Sequence, residues 1–323
     1  MDASTTDSAG SSPPRVAIVI PARNASAYLS ATLASVLAQT FTDWRCVIAE
    51  NNSTDDTFAL AQKLATIDAR ISAVSLRGAR GVSDARNMGL AALDGPACSY
   101  VIFLDADDLW TPDALATLVT LLELRTDSPA SHATADFIGP DGASIDAGVF
   151  EHDPRLRLIY DARRIIKVAA SVDTTFESLS TWPGVITPGL VLMRCAAFDS
   201  VGAYDGTLTH GEDWDLWLRL ARYQGPLAYV DRALLHYRRH PHNSAAHGKR
   251  REMIARVRSN IVNTYADTPE LKKHVRGAYA SVYRMLARQR LSRGCGEARQ
   301  LRLKSAGRLF VQSAGNFVMS LRG

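Results

Sequence analysis

The most constraining feature of the sequence is an alternation of short apolar runs with amphipathic stretches over its first 125 residues. Runs such as Val16 to Pro21 and Tyr100 to Leu104 have the length of buried strands, and apolar residues between the runs recur at helical spacing. Strands that alternate with helices form mostly parallel sheets covered by helices. The sequence therefore predicts an α/β fold with a Rossmann-like, mostly parallel open sheet and flanking helices, which would bind ligands at the carboxyl ends of its strands.

Further elements follow from the same periodicities. Strands are expected at Val16 to Pro21, Arg45 to Glu50, Ile71 to Leu76, Tyr100 to Asp105, Val185 to Met193, Leu227 to Val230 and Leu234 to Arg238. Helices are expected after Ser26, after Asp55 or Asp56, over Ser83 to Leu93, after Thr111-Pro112, near Cys195 to Val201 and over Trp214 to Arg222. Between Ser128 and Phe176 the periodicity is poor, so little is predicted there.

Length and composition exclude several classes of protein. The chain has 323 residues, 46% hydrophobic and 22% charged, which excludes a disordered or fibrous protein. No apolar run approaches the roughly 18 to 20 residues of a membrane-spanning helix. Residues 1–14 are rich in Ser, Thr, Gly and Pro, and we interpret them as a disordered leader. The cysteines show no paired-ligand spacing, which favours unpaired thiols in a reducing cytoplasm.

Charge is distributed unevenly along the chain. Residues 249–323 hold 17 Lys and Arg against 4 Asp and Glu, whereas the rest holds 20 basic and 29 acidic residues. We interpret 249–323 as a basic helical extension, with an apolar stripe at Leu271, Val275, Tyr279, Val282 and Leu286. One interpretation is contact with an anionic membrane surface, and the alternative is packing on the preceding domain or on a second subunit in a homo-oligomer. Nucleic acid is a poor partner because no recognition motif is present.

Polar residues follow three of the predicted strands. The first strand is followed by Arg23-Asn24, the second by Glu50-Asn51-Asn52, and the fourth by Asp105-Ala106-Asp107-Asp108. Two carboxylates two residues apart in extended backbone face the same side, and their hard oxygens suit Mg²⁺ or Mn²⁺. Asp108 is a competing ligand to Asp107, and an acidic turn before the next helix is the alternative interpretation.

Two further segments carry candidate chemistry. Glu212-Asp213 precedes an apolar helix, where Asp213 is either a helix cap or a general base for an acceptor hydroxyl. Four histidines follow at His236, His240, His242 and His247, but no cysteine or H-E-x-x-H frame supports a zinc site. Arg238 or a histidine that reaches a phosphate or a metal fits this segment better.

Six motifs occur in the order and approximate spacing of the family 2 glycosyltransferases. They are Pro21-Ala22-Arg23-Asn24, Ser35 to Thr40, Asn52 to Thr57, Ala85-Arg86-Asn87-Met88-Gly89, Phe103 to Trp110 and Glu212 to Arg219. The chain resembles that family from about Val16 to Ser244. The resemblance implies a GT-A fold and inverting, metal-dependent transfer from a nucleotide-sugar donor to a hydroxyl of a glycan or lipid-linked acceptor, for cell-surface polysaccharide synthesis.

The resemblance also implies roles for particular residues. Ala22, Arg23, Glu50 and Asn51 would hold the base and ribose of the donor. Arg86, Glu212, His236 and Arg238 would complete the donor site, with Arg86, His236 and Arg238 at the diphosphate. Asp105 would approach the ribose or the metal, Asp107 would ligate Mn²⁺ or Mg²⁺ with His236 as a further ligand, and Asp213 would be the catalytic base.

The sequence departs from the family at the end of the second predicted strand. The usual pair of aspartates is replaced by Glu50-Asn51. An asparagine carbonyl still accepts the N3 proton of uracil but supplies no charge. A UDP-sugar is the expected donor, while TDP and GDP are less firmly excluded than usual.

These inferences predict three regions and a cellular location. Residues 1–14 form the leader, 15–248 the GT-A domain and 249–323 the extension; residues 15–125 form the nucleotide-binding half and 126–248 the acceptor half. The expected location is cytoplasmic, with peripheral attachment to the inner face of the membrane if the extension binds lipid. A sugar-nucleotide pyrophosphorylase is an alternative, although the glycine-rich loop it would need after the first strand is absent. A non-catalytic nucleotide-sugar-binding module is the other alternative.

Overall fold

The computed structural model describes residues 15–93, 98–145, 173–181, 185, 187–208, 210–241, 243, 257, 261–273 and 275–277. The predicted leader and most of the basic extension, including Tyr279, Val282 and Leu286 of its stripe, lie outside these residues. The chain divides into two compact units, Met1–Asp267 and Thr268–Gly323. No helix within the described ranges is long and apolar enough to cross a membrane.

One mixed sheet organises the first unit. Its strands are β1 (Val16–Ala22), β2 (Trp44–Glu50), β3 (Ile71–Ser75), β4 (Tyr100–Phe103), β5 (Leu109–Trp110), β6 (Ala130–Ile138), β7 (Val191–Arg194) and β8 (Ala228–Arg238). The spatial order is β3-β2-β1-β4-β7-β6-β8-β5. The first four strands in this order are parallel, as predicted, whereas β7 pairs antiparallel with both β4 and β6.

Helices connect these strands. The described α-helices are α1 (Leu29–Leu37), α2 (Thr57–Ala65), α3 (Val82–Ala91), α4 (Ala114–Leu124), α5 (Phe176–Thr181), α6 (Cys195–Val201) and α7 (Glu212–Tyr223). A 3₁₀ turn at Pro188–Leu190 leads into β7, and a π-helical turn spans Ile261–Tyr265. Helices α1 to α4 occupy the connections in which the sequence predicted them.

The central strands are buried because helices cover them. Every residue of β1 except Pro21 is buried, as expected of a parallel strand whose two faces are both covered. Helix α3 packs on β1 and β2 through Gly89. A Cβ at Gly89 would lie 2.7 Å from the Ala49 Cβ and 2.8 Å from a Val19 methyl group, so this close approach of helix and sheet requires glycine.

The structure corrects the sequence prediction in the second half of the domain. Strand β6 lies in a segment for which almost nothing was predicted. The two strands expected at Leu227 to Val230 and Leu234 to Arg238 are a single strand, β8, whose register to β6 shifts on either side of Thr134. The exposed Asp231 and Arg232 lie within this irregular part of β8, which explains why the apolar pattern resembled two strands. The strand expected at Val185 to Met193 begins only at Val191, after the 3₁₀ turn.

A disulfide joins Cys98 to Cys195, so the expectation of unpaired thiols is wrong for these two residues. The antiparallel pairing of β4 with β7 sets Tyr100 opposite Arg194, which brings the neighbouring cysteines together although 97 residues separate them. Spacing along the sequence gave no sign of this contact. Cys46 in β2 is a buried free thiol, and Cys295 lies outside the described residues.

Candidate functional site

The loops that follow β1 and β2 interlock at one edge of the sheet. Asn24 and Asn52 both adopt left-handed backbone conformations, with φ of 50°, which asparagine tolerates better than most residues. The Asn24 side-chain oxygen accepts a 2.8 Å hydrogen bond from the Thr54 backbone N–H. The Asn24 backbone N–H donates to the Ser53 hydroxyl at 3.1 Å. The loops after β1 and β2 therefore form one continuous surface.

Glu50 and Asn51 lie at the centre of this surface and are buried. One carboxylate oxygen of Glu50 accepts a hydrogen bond from the Ser53 backbone N–H at 2.5 Å, and the other accepts from the Ser75 hydroxyl at 2.9 Å. Glu50 thus stabilises the loop from within. The Asn51 amide donates to the Gly81 carbonyl at 3.2 Å, and its oxygen accepts from Asn52 at 2.9 Å.

Ala22 and Arg23 occupy the end of β1 beside this pair. The Ala22 carbonyl accepts the Asn51 backbone N–H at 2.8 Å, and Ala22 is buried. Arg23 is exposed. The structure therefore brings together the four residues expected to hold the base and ribose. Arg23 is the exposed cation among them.

Arg86 links the end of β4 to the start of α7. The Arg86 side chain is only 3% exposed, and it donates to Asp105 at 2.9 Å and to Glu212 at 2.8 Å. Its guanidinium also lies 5.0 Å from the ring centroid of Tyr204. Two guanidinium nitrogens of Arg86 are thus directed at carboxylates, and no hydrogen bond to its buried Nε is present among the described residues. Arg86 supplies a buried positive charge between Asp105 and Glu212, and its contact with a diphosphate stays a prediction.

Asp213 lies in the first turn of α7 beside Glu212. Helix α7 begins at Glu212, one residue before Asp213, so Asp213 is within the helix and Gly211 is its N-cap. Burial raises the pKa of Asp213 to about 7, the negative charge of Glu212 acts in the same direction, and the positive charge of Arg86 opposes both. A carboxyl group with this pKa can take up and release a proton near neutral pH.

Asp105 and Asp107 both remain partly accessible after β4. Their side chains are 29% and 26% exposed, respectively. Burial raises the pKa of Asp105, and Asp107 adds to that effect, while Arg86 opposes it. One Asp107 oxygen lies 2.8 Å from Nε2 of His240 and accepts a 3.3 Å hydrogen bond from the Asn243 amide. Both aspartates thus remain accessible to solvent at the end of β4.

Asp108 is directed into the protein instead. It is 1% exposed, accepts the Arg238 backbone N–H at 3.0 Å and accepts the Thr187 hydroxyl at 3.3 Å. Burial raises its pKa well above the usual value, and the charges of Asp107 and Asp105 contribute in the same direction. Asp107 is therefore better placed than Asp108 to hold a cation, which separates the two candidates that the sequence left open.

Arg238 is the last residue of β8 and His236 lies two positions before it, and the two side chains have different partners. The Arg238 guanidinium donates to the backbone carbonyls of Asp107, Gly139 and Pro140 at 2.9 to 3.2 Å. His236 is opposite Leu109 of β5, and no hydrogen bond to its buried Nδ1 is present in the described part of the chain. His240, rather than His236, is the histidine in contact with Asp107.

The residues present fit a divalent cation in part. Among the described residues, no three His, Cys, Asp or Glu side chains are grouped as a complete metal site. Asp107 and His240 nevertheless present an oxygen and a nitrogen 2.8 Å apart, a separation that suits two neighbouring ligands of one ion. Mg²⁺ and Mn²⁺ sites often obtain their remaining ligands from phosphate and water. The two side chains would fit such an ion together with the oxygens of a diphosphate.

Sequence reasoning missed several side chains that shape this site. His240, Asn243 and Thr187 all contact an aspartate of the D-x-D segment. The run His236 to His240 signalled that a histidine would be involved but did not say which one. Nothing in the sequence marked Thr187, because it reaches Asp105 and Asp108 only through the turn that precedes β7.

Comparison with known proteins gives a family match for part of the chain. The model of glycosyl transferase family 2 matches residues 17–144. TuaG of Bacillus subtilis (strain 168), a glycosyltransferase named for teichuronic acid biosynthesis, is 34% identical over 148 residues, covering 46% of this chain and 56% of that protein. WfgD of Escherichia coli is named as a UDP-Glc:alpha-D-GlcNAc-diphosphoundecaprenol beta-1,3-glucosyltransferase. It is 32% identical over 107 residues, which cover 33% of this chain and 40% of that protein.

Solved structures give the same fold at low sequence identity. TarS 1–349 of S. aureus in complex with UDP-GlcNAc aligns with a TM-score of 0.60 and 16% identity, over 83% of this chain and 71% of that chain. The mannosyltransferase PcManGT of Pyrobaculum calidifontis, in complex with GDP-Man and Mn²⁺, aligns with a TM-score of 0.54 and 16% identity, over 89% and 81%. Residues 17–144 therefore belong to glycosyl transferase family 2, and the chain has the GT-A fold of that family.

Proposed function

We propose that the protein is an inverting glycosyltransferase that moves a sugar from a nucleotide-sugar donor to an acceptor hydroxyl. The main support for this proposal is the cluster of Asp213, Arg86 and Asp105 at the start of α7. Asp213 has a pKa of about 7 and lies within electrostatic reach of Arg86 and Asp105, which connect it to the D-x-D segment. An ionised Asp213 would accept the hydroxyl proton as the oxygen attacks the anomeric carbon from the face opposite the nucleotide.

The other side chains would act on the donor. Ala22, Arg23 and Asn51 would border the base and ribose, and Glu50 would hold their loop in shape through Ser53 and Ser75. Asp107 and His240 would hold Mn²⁺ or Mg²⁺, which when bound neutralises charge on the leaving diphosphate. Arg86 would keep Asp105 and Glu212 oriented. This assignment replaces His236 with His240 as the histidine ligand.

Substitution of Asp213 tests the proposed base. Asp213→Asn keeps the size of the side chain and the oxygen that accepts the Trp214 backbone N–H at 2.6 Å, but it cannot accept a proton. Transfer should fall by roughly 10²-fold or more, the usual contribution of a general base, while nucleotide binding is retained. Asp199→Asn, at an exposed position of α6, is the matched control and should leave transfer unchanged. Transfer near the parent rate in Asp213→Asn would leave Glu212 as the next candidate.

Removal of divalent cations tests the metal. Because Asp107 and His240 present only two ligands, the ion should be lost readily to a chelator, and donor turnover should stop and return with added Mn²⁺ or Mg²⁺. Asp107→Asn should reproduce the loss at an unchanged melting temperature. Full turnover in excess chelator would contradict the assignment.

The donor and acceptor classes are supported by similarity. WfgD is named for a UDP-sugar donor and a diphosphoundecaprenol-linked acceptor, and TarS is solved with UDP-GlcNAc. A UDP-sugar donor and a glycan or lipid-linked acceptor of cell-surface polysaccharide synthesis are therefore our proposal for this chain. A hydrolysis and binding screen of UDP-, TDP- and GDP-sugars tests it. Hydrolysis of a UDP-sugar in preference to the others is the expected result, and preference for a GDP-sugar would contradict it.

A further inference from the structure

We infer that Tyr28 is a positioning residue that holds His240 and Arg238 against Asp107. This inference rests on the proposed function, because its importance depends on Asp107 and His240 serving the donor site. Tyr28 lies at the N-terminal end of α1, 212 positions before His240 in the sequence. None of the six glycosyltransferase motifs includes it. Its role follows from contacts that only the fold creates.

Tyr28 contacts two of the groups that hold Asp107, His240 and Arg238. Its ring stacks on the His240 ring with centroids 4.9 Å apart and an interplanar angle of 27°. The Arg238 guanidinium carbon lies 5.0 Å from the centroid of the same ring, within the range of a cation–π interaction. His240 contacts the Asp107 carboxylate at 2.8 Å, and Arg238 donates to the Asp107 carbonyl at 2.9 Å. One aromatic ring therefore supports both contacts to Asp107, one to its side chain and one to its backbone.

The position of Tyr28 is itself determined by the donor side of the cleft. The Tyr28 backbone N–H donates to the Ala25 carbonyl at 3.0 Å, and the Ala25 N–H donates to the Thr57 hydroxyl at 2.8 Å. Ser26 is bound to the Asp55 carboxylate through its hydroxyl at 2.7 Å. The turn that carries Tyr28 is thus anchored to the loop after β2. Tyr28 connects the proposed base and ribose surface with the proposed cation ligands.

The backbone near His240 is held by Asn243, which accepts the His240 backbone N–H at 2.6 Å and donates to the Arg238 carbonyl at 3.1 Å. The Asn243 amide also lies 3.4 Å from Nε2 of the His240 ring. Stacking on Tyr28 adds a different restraint, because it restricts the plane in which Nε2 faces Asp107. Loss of the ring should therefore weaken cation binding more than it weakens binding of the nucleotide itself.

Calorimetric titration of the full chain with UDP, with and without Mn²⁺, tests this inference. The measured quantity is the ratio of the two UDP dissociation constants, which reports how much the cation contributes. In Tyr28→Leu, which removes the ring, the enhancement by Mn²⁺ should fall roughly 10-fold, the lower end expected when support of a metal ligand is lost. UDP binding without Mn²⁺ should stay within about twofold of the parent. Tyr28→Phe keeps the ring and should behave as the parent, and Tyr28→Met is the ring-free substitute if the leucine variant does not fold.

A double-mutant cycle with His240→Ala shows whether Tyr28 acts through His240. If it does, Tyr28→Leu should add little to the loss of enhancement already caused by His240→Ala. Three results would overturn the inference. The first is full additivity of the effects of Tyr28→Leu and His240→Ala on the enhancement by Mn²⁺, and the second is an unchanged enhancement in both ring-free variants. The third is an equal loss of UDP affinity with and without Mn²⁺. Parent protein that binds neither UDP nor GDP would instead overturn the proposed function, and this inference with it.

Discussion

At the scale of single residues, the site depends on one buried cation among several carboxylates. Arg86 pairs with Asp105 and Glu212 while Asp213 lies next to Glu212 in the same helix. A buried positive charge lowers the cost of keeping several acidic groups in one place. Without Arg86, burial and the repulsion of neighbouring carboxylates would favour the protonated forms of Asp105 and Asp213. In the proposed mechanism, Arg86 would therefore affect catalysis through the charge of its neighbours.

The first prediction at this scale is a pH dependence. Asp213 accepts a proton only when it is ionised, and its pKa is raised to about 7 by burial and by Glu212. The value of kcat/KM should therefore fall as the pH decreases below about 7, approaching a tenfold loss per pH unit. A pH–rate profile between pH 5 and 9, at saturating Mn²⁺, measures this decrease, which is the acidic limb of the profile.

Arg86→Met provides the control for that profile. Since the charge of Arg86 lowers the pKa of Asp213, its removal should move the acidic limb to higher pH. Arg86→Lys retains a positive charge and should move the limb less than Arg86→Met does. An acidic limb that lies near pH 4 in the parent, or does not move in Arg86→Met, would contradict the role given to this pair.

The residue types at the site could be predicted, but their partners could not. The D-x-D spacing indicated that Asp105 and Asp107 share one side, because alternation in extended backbone is a local property, and both side chains are partly exposed. The contact of Asp107 with His240 and the ion pair of Arg86 with Glu212 could not be predicted. Both depend on side-chain packing between elements that are far apart in sequence, and periodicity carries no information about that packing.

At the scale of secondary-structure elements, strands β1, β2 and β4 were predictable because they are covered on both sides. Continuous apolar runs such as Val16 to Pro21 identify such strands without knowledge of their neighbours. Strand β6 has a different character, since it carries Ser131, His132 and Thr134 at buried positions. The Ser131 hydroxyl donates a 2.8 Å bond to the Leu118 carbonyl, and Nε2 of His132 lies 2.7 Å from the Thr174 hydroxyl. A strand of this composition is not visible as an apolar pattern.

His132 in β6 gives a prediction for stability. Its ring is fully buried against Tyr229, with Nε2 2.7 Å from the Thr174 hydroxyl, and burial lowers its pKa to about 4. Because an unfolded chain protonates histidine near pH 6.5, the unfolded state takes up more protons than the folded state between about pH 6.5 and 4. The free energy of unfolding should therefore decrease as the pH falls through this window, by an amount on the order of 3 kcal/mol.

Urea unfolding of the parent and of His132→Gln at pH 7, 6 and 5 isolates this contribution. The glutamine side chain does not titrate, so the stability difference between parent and variant should shrink as the pH falls. Other groups that titrate in this range contribute equally to both proteins and cancel in the difference. A difference that stays constant from pH 7 to 5 would show that His132 is not responsible.

At the scale of the whole molecule, charge separates the chain into two parts with opposite signs. Residues 249–323 hold 17 Lys and Arg against 4 Asp and Glu, while the preceding residues hold 20 basic and 29 acidic side chains. The division between compact units falls at Asp267–Thr268, within the basic part. A strongly basic segment is attracted to anionic lipid, whereas the acidic domain is repelled by it. Membrane attachment through the C-terminal residues would leave the catalytic domain exposed to a lipid-linked acceptor.

The last prediction is that the full chain binds anionic vesicles through these basic residues. Sedimentation with vesicles should increase with the fraction of anionic lipid and should fall between about 0.05 and 0.5 M salt, because the Debye length shrinks from above 10 Å to a few Å. Replacement of Arg284, Arg288, Arg290 and Arg293 by Gln should weaken binding, since each basic residue near the surface contributes about 1 kcal/mol. The matched control replaces Arg15, Arg45, Arg70 and Arg125 in the first unit and should leave binding unchanged. Equal binding to neutral and anionic vesicles would contradict an electrostatic attachment and would favour packing of the extension against protein.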